Sequence, residues 1–149
     1  MRGVDRDVIA DIGGACLLMR SRLIARIITS IYDEKLRAHG ITSAQFALLV
    51  AIHQIEPATR ADIGRFQHQD PSTLTRNLRV VLSEGWVEER RYGADGRSRP
   101  IGLTRAGEDL LRKAEQAWSA AQVQATDLLG KDGVIAVMDI AKRILGPTA

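Results

Sequence analysis

Two arginines, Arg97 and Arg99, stand in the stretch Asp95-Gly96-Arg97-Ser98-Arg99-Pro100-Ile101-Gly102-Leu103-Thr104, with no large apolar neighbour before Ile101. The pattern predicts a charged hairpin tip that returns as a short strand, Ile101 to Leu103, and starts a helix at Thr104. A tip of this composition has nothing to pack on within its own domain. A planar guanidinium suits phosphates and base edges, so the chemistry it offers is anion recognition. A second set of such groups lies upstream, between Pro71 and Ser83. At about 100° per residue, Leu74, Leu78, Val81 and Leu82 share one face of a helix, and Ser72, Thr73, Arg76, Arg79 and Val80 lie opposite. Hydroxyls and arginines are the side chains that reach phosphates and guanine edges in a major groove. A solvated amphipathic helix explains that periodicity equally well. It does not explain a short capped helix just before it and an arginine-tipped hairpin just after it.

Charge is concentrated in the same region. Residues 60–105 hold nine arginines, no lysine and six carboxylates, so they carry the whole formal net charge of +3; the remainder holds twelve basic and twelve acidic residues. The chain has 149 residues, 45% hydrophobic and 26% charged, which describes one ordinary globular unit with a real core. Aromatics are only 4%, and the abundance of Ala, Leu and Ile favours helix over sheet. No apolar run approaches the ~20 residues that cross a bilayer, and the N-terminus does not read as a secretory signal. One cysteine, Cys16, excludes an intramolecular disulfide and fits a reducing cytoplasm.

The elements that position the arginines follow from start and stop signals. A first helical segment is predicted over about Asp7 to Ala38, with a stripe at Leu17, Ile24, Ile27, Ile28 and Ile31, a frayed or kinked start at Gly13-Gly14 and an end at His39-Gly40. Thr42 and Gln45 have capping-box spacing, and Ile41 with Phe46 that of a hydrophobic staple, opening a helix to about Gln54. Thr59-Arg60-Ala61-Asp62 opens a short helix to about Phe66. Asp70-Pro71 opens another that ends before Gly85. Trp86 to Tyr92 reads as a strand, paired with the strand returning through Pro100 as an edge ribbon. Thr104 caps a long helix on which Leu111, Ala114, Trp118, Ala121, Ala125 and Leu128 form a coiled-coil-like seam. A last helix, about Asp132 to Leu145, carries Val134, Val137, Met138, Ala141 and Ile144 on one stripe.

Two short helices, a tight turn and a β-hairpin make a winged helix-turn-helix, and here the chain resembles the MarR family (multiple antibiotic resistance regulators) of bacterial transcription factors. The most specific part is the wing motif D-x-R-x-x-x-I-x-L-T, met by Asp95, Arg97, Ile101, Leu103 and Thr104. Gly40-Ile41-Thr42 before Gln45-Phe46, Leu74-Thr75-Arg76 and Gly85-Trp86-Val87 support it. The expected fold is mainly α with a small two- to three-stranded β wing, a winged helix-turn-helix (about 42–103) embedded in a helical dimerisation region (about 7–38 and 104–149) within a single domain, 1–149. The resemblance implies a homodimer that binds a pseudopalindrome in double-stranded DNA, with half-sites about 10 bp apart. It implies that Arg97 enters a narrow minor groove, attracted by its negative potential, and that Asp95 braces the hairpin. The DNA-contact set is therefore Ser72, Thr73, Thr75, Arg76, Arg79, Asp95, Arg97 and Arg99.

Regulators of this family are released from DNA by a small molecule or, in one subgroup, by cysteine oxidation. Tyr32, Phe46, His53 and Trp118 are candidates for lining an effector cleft, although core packing explains each of them. Cys16 lies where the peroxide-sensing subgroup keeps its reactive thiol, but its apolar neighbours favour a buried structural role. Dispersed His39, His53 and His68 do not suggest a metal, and no cofactor or enzyme motif is present. The reading is a cytoplasmic, non-enzymatic repressor; the competing readings are a redox regulator using Cys16 or a winged-helix protein-interaction module.

Overall fold

The computed structural model describes residues 6–90 and 99–146. Chain order is α1 (Arg6–Ala15), α2 (Leu17–Leu36), a 3-10 turn (Arg37–His39), α3 (Ser43–Ile55), α4 (Arg60–Gln67), α5 (Pro71–Ser83), β1 (Val87–Glu89), β2 (Ile101–Leu103) and α6 (Arg105–Leu145).

The first predicted helix is two. Cys16 takes an extended ψ of 108° between α1 and α2, just past the weak helix formers Gly13 and Gly14. The Arg20 guanidinium turns back onto the carbonyls of those glycines, 3.4 Å from each, and so supplies partners to carbonyls near the end of α1. The remaining starts follow their signals. Thr42 and Gln45 form a reciprocal capping box at α3, and Thr59 and Asp62 form one at α4. Ile41 is buried beneath the α3 entry with Phe46 packed against the same core. Gly85, at φ 70°, ends the α5 segment in the left-handed region that glycine tolerates.

Among the described residues the sheet has two strands, within the range that the sequence predicts. β1 and β2 pair antiparallel with Val87 opposite Leu103 and Glu89 opposite Ile101. A third strand is reduced to one bridge, in which the Ile101 amide donates to the Ala58 carbonyl at 2.7 Å. Pro100 lies just outside β2, where its carbonyl accepts from the Arg90 amide at 2.8 Å.

Leu36, Leu48, Leu49, Ile52, Ile63, Leu78, Val81 and Ile101 form a closed core that ties α3, α4, α5 and the ribbon together. At about 1.5–3 kcal/mol per fully buried side chain, these residues anchor the central unit. α6 enters against the ribbon through Gly107, where a Cβ would overlap the Trp86 carbonyl. Thr104 caps it, accepting from the Gly107 amide at 3.2 Å and donating to the Gly85 carbonyl at 2.6 Å. Along α6, Ala114, Ala121 and Ala125 are buried, and α6 packs chiefly on α2. Trp118 and Leu128 of the predicted seam are exposed instead. α6 breaks at Gly130 (φ 66°, ψ 168°), next to the boundary predicted before the last helix.

The apolar residues of α1, most of those of α2 and those of the end of α6 stay uncovered. Val8, Ile9, Ile12, Leu17, Leu18, Ile24, Ile27, Val137, Met138 and Ile144 are all exposed. Of the predicted α2 stripe only Ile31 is buried.

Candidate nucleic-acid interface

Helix α5 buries Leu74, Leu78 and Val81, with Leu82 half-buried, and exposes Ser72, Arg76, Arg79 and Val80 of the predicted outer face; Thr73 is half-buried instead, and Thr75 is exposed beside them. Its N-terminus is more tightly organised than periodicity shows. The Asp70 carboxylate accepts the backbone amides of Ser72 and Thr73 at 3.1 and 3.0 Å, and also their hydroxyls at 2.5 and 2.6 Å. The Ser72 hydroxyl, then the Thr73 hydroxyl and amide, hold its carboxyl well below the usual carboxylate range. Thr75 donates its hydroxyl to the Pro71 carbonyl at 2.7 Å. Each hydroxyl has a single proton, and all three protons are committed within α5. The donors left facing outward are the guanidiniums of Arg76 and Arg79, which have no ion-pair or hydrogen-bond partner among the described residues.

The arginines at the base of the hairpin are arranged differently. Arg90 pairs with Glu56, contacts Glu88 at 3.1 Å, and donates to the Leu103 carbonyl at 2.6 Å. Its pKa is raised, first by the hydrogen bond to Glu88. Gly102 makes room for this cluster, since a Cβ there would overlap both Glu56 and Arg90. Glu89 joins two elements: Arg60 of α4 lies 2.5 Å away and Arg99 lies 3.6 Å away. The hydrogen bond from Arg60 is the main reason the Glu89 carboxyl is lowered. Arg65 pairs with Asp62 within α4. Of the predicted DNA-contact residues, Arg99 thus sits at the hairpin base in an ion pair, while Asp95 and Arg97 lie outside the described residues.

A cavity of about 580 Å³ opens between α2, α3, α4 and α6. Tyr32, Phe46 and Trp118, three of the four aromatic and histidine candidates, line it together. His53 does not. The stripe of α3 facing the cavity runs through Ser43, Ala47, Val50 and Gln54, and His53 is exposed beside it. Phe66 and Gln67 of α4 complete the wall and were not predicted; a phenylalanine in so short and polar a helix was the available signal. Tyr32 donates to Gln122 across the gap to α6, and burial raises its hydroxyl pKa. Cys16 is half-buried at the α1–α2 break rather than buried in a core.

The comparisons with known proteins agree with this geometry. The model of the MarR family matches residues 39–98, which take in α3, α4, α5 and β1. The transcriptional regulator MosR of M. tuberculosis, solved in complex with DNA, is 33% identical. It superposes with a TM-score of 0.72 over 85% of this chain and 92% of that one. The chain belongs to the MarR family. Apo MarR from E. coli shares the fold at 25% identity and a TM-score of 0.70, over 87% of this chain and 96% of that one. An uncharacterized HTH-type transcriptional regulator of Bacillus subtilis, YwoH, is 32% identical over 84 residues, 56% of this chain and 61% of its own length. The chain thus spans about three fifths of that curated relative. As a member of the MarR family it has the winged helix-turn-helix arrangement that the sequence predicts, and that curated relative is described as a transcriptional regulator. No helix among the described residues is long and apolar enough to cross a membrane.

Proposed function

We propose that this MarR-family chain is a sequence-specific DNA-binding repressor that acts in the cytoplasm as a homodimer and is released by a small ligand. The observation that carries the DNA-binding reading is the outer face of α5, where Arg76 and Arg79 are exposed and have no partner among the described residues. Unpaired guanidiniums one turn apart are available to phosphates and guanine edges at no cost in broken ion pairs. MosR, which is similar over most of both chains, has been solved with DNA. Arg97 serves as the minor-groove probe and Asp95 as its brace. Ser72, Thr73 and Thr75 fix the end of α5; they donate to phosphates only by exchanging their internal bonds, while their oxygens keep lone pairs for amino groups on base edges.

The uncovered apolar surfaces of α1, α2 and the end of α6 support the homodimer, because exposed apolar area of that extent marks an interface. Residues 7–38 and 104–149 then form the dimerisation region, and 42–103 the DNA-binding part. The cavity holding Tyr32, Phe46 and Trp118 lies between these two parts and is the proposed effector site.

Selection of bound fragments from genomic DNA tests the reading. One or more fragments should be retained over random DNA and lost by Arg76→Ala. No preference for any fragment turns the assignment toward a protein-interaction module. Sedimentation should give a dimer, and a monomer at micromolar concentration removes the two-fold operator.

A further inference from the structure

Among the described residues that line the cavity between α2 and α4, none is charged. Four aromatic rings, Tyr32, Phe46, Phe66 and Trp118, contribute to it, and its polar groups are hydroxyls and amides such as those of Gln54 and Gln67. The Gln67 side-chain oxygen is buried without a hydrogen-bond partner among the described residues. We propose that this cavity takes an uncharged aromatic ligand carrying an N–H or O–H donor, and discriminates against aromatic carboxylates. The proposal rests on the effector-site reading and assigns its ligand class.

A carboxylate against this wall loses part of its hydration and finds no cation among the described lining residues in return, and desolvating an unpaired charge is costly. An amide of the same shape loses much less and recovers hydrogen bonds from the glutamine side chains. Once the Gln67 amide turns toward the cavity, a ligand donor satisfies an oxygen that is otherwise left unpaired. At about 580 Å³ the cavity lies within the usual range for small-molecule sites and accommodates a two-ring compound. Its position gives occupancy a consequence. Phe66 and Gln67 are at the end of α4, Tyr32 is on α2 and Trp118 is on α6, so a bound ligand contacts both the helix-turn-helix and the long helices.

The test uses an isosteric pair, naphthalene-2-carboxamide and naphthalene-2-carboxylate, titrated calorimetrically into the full chain at pH 7. The carboxamide should bind at least ~100-fold more tightly than the carboxylate, as expected for one unpaired charge in an apolar wall. Gln67→Lys, or Gln54→Lys from the α3 side should the first fail to fold, places a cation in the wall and should erase or invert that preference. Carboxylate binding equal to or tighter than carboxamide binding in the unaltered chain overturns the ligand class and leaves the effector site standing. A preference unchanged in a folded lysine variant puts the bound compound elsewhere and also overturns the proposal. Failure of both compounds to bind removes the effector site itself, and the ligand class with it.

Discussion

The outer face of α5 and the base of the hairpin are both rich in arginine, yet they hold their arginines in opposite states. Arg76 and Arg79 on α5 are exposed without partners among the described residues, whereas Arg60, Arg90 and Arg99 around the hairpin are matched to Glu89, Glu56 and Glu88. The first region is poised to spend its charge on another molecule. The second spends it on fixing α3, α4 and the two strands relative to one another. Charge counted along a sequence therefore overstates the charge available for DNA, because a guanidinium already holding a carboxylate must break that pair to bind a phosphate. The contrast predicts a double dissociation: changes at the hairpin base act first on stability, and changes on α5 act first on binding.

The largest effect is expected at the junction of the hairpin with α6. Gly107→Ala drives a methyl group into the Trp86 backbone carbonyl, which no rotamer can relieve. Overpacking of this kind should cost about 3 kcal/mol, read as a lower urea midpoint with an unchanged slope. Stability within ~0.5 kcal/mol of the parent, the range of ordinary surface changes, means that α6 enters the domain with more freedom than the close approach suggests.

Arg76→Ala is the converse. It should leave the urea midpoint in place and weaken operator binding by roughly 10- to 100-fold, the loss typical of one good base or phosphate contact. A variant that is destabilised but binds normally once folded reverses the assignment of the two regions. Arg97→Ala and Arg99→Ala sharpen the line between tip and base. Arg97→Ala should lower affinity and reduce the salt slope by about one phosphate-equivalent. Arg99→Ala should have a smaller binding effect, since its guanidinium is shared with Glu89, and should change stability by less than ~1 kcal/mol because the pair is exposed. Equal losses from both substitutions place the two arginines on DNA alike.

Much of this division was legible in the sequence, and the illegible part has a common cause. Local signals were sufficient for the capping box of α3, the Thr59 and Asp70-Pro71 starts, the apolar and outward faces of α5, and Thr104 as the cap of α6. Each rests on residues within one or two helical turns. Pairings across the fold were not legible. Nothing in the spacing of Glu56 and Arg90, or of Arg60 and Glu89, shows that they meet, because their contact depends on how α3, α4 and the ribbon dock. The cavity was partly legible for the same reason. Large aromatics marked Tyr32, Phe46 and Trp118, but only the placement of α4 adds Phe66 and Gln67 and leaves His53 out. The α1–α2 break followed from Gly13-Gly14 in kind but fell at Cys16, where the Arg20 side chain reaches back to the glycine carbonyls.

The smallest predicted effect is also the one that best separates stability from binding, because Asp70 influences them in opposite directions. Its carboxylate caps α5 by accepting two amides and two hydroxyls, yet it places a negative charge at the end of the helix proposed to meet phosphates. The depressed carboxyl pKa means that the unfolded chain binds the proton more readily than the folded one. Its contribution is therefore fully present above the unfolded value near ~3.9 and is lost as pH falls through the folded value. Asp70→Asn keeps a good cap but removes the charge. The variant should melt slightly earlier at pH 7, and the gap should narrow as pH falls below 4, because both proteins lose the contributions of Asp62 and Glu89 but only the parent also loses that of Asp70. Binding to random DNA at low salt should be unchanged or slightly tighter, with a little less repulsion to overcome. Weaker binding by a fully folded Asn variant makes the carboxylate an organiser of the contact surface, and the hydroxyls of Ser72 and Thr73 then belong to the DNA interface through it.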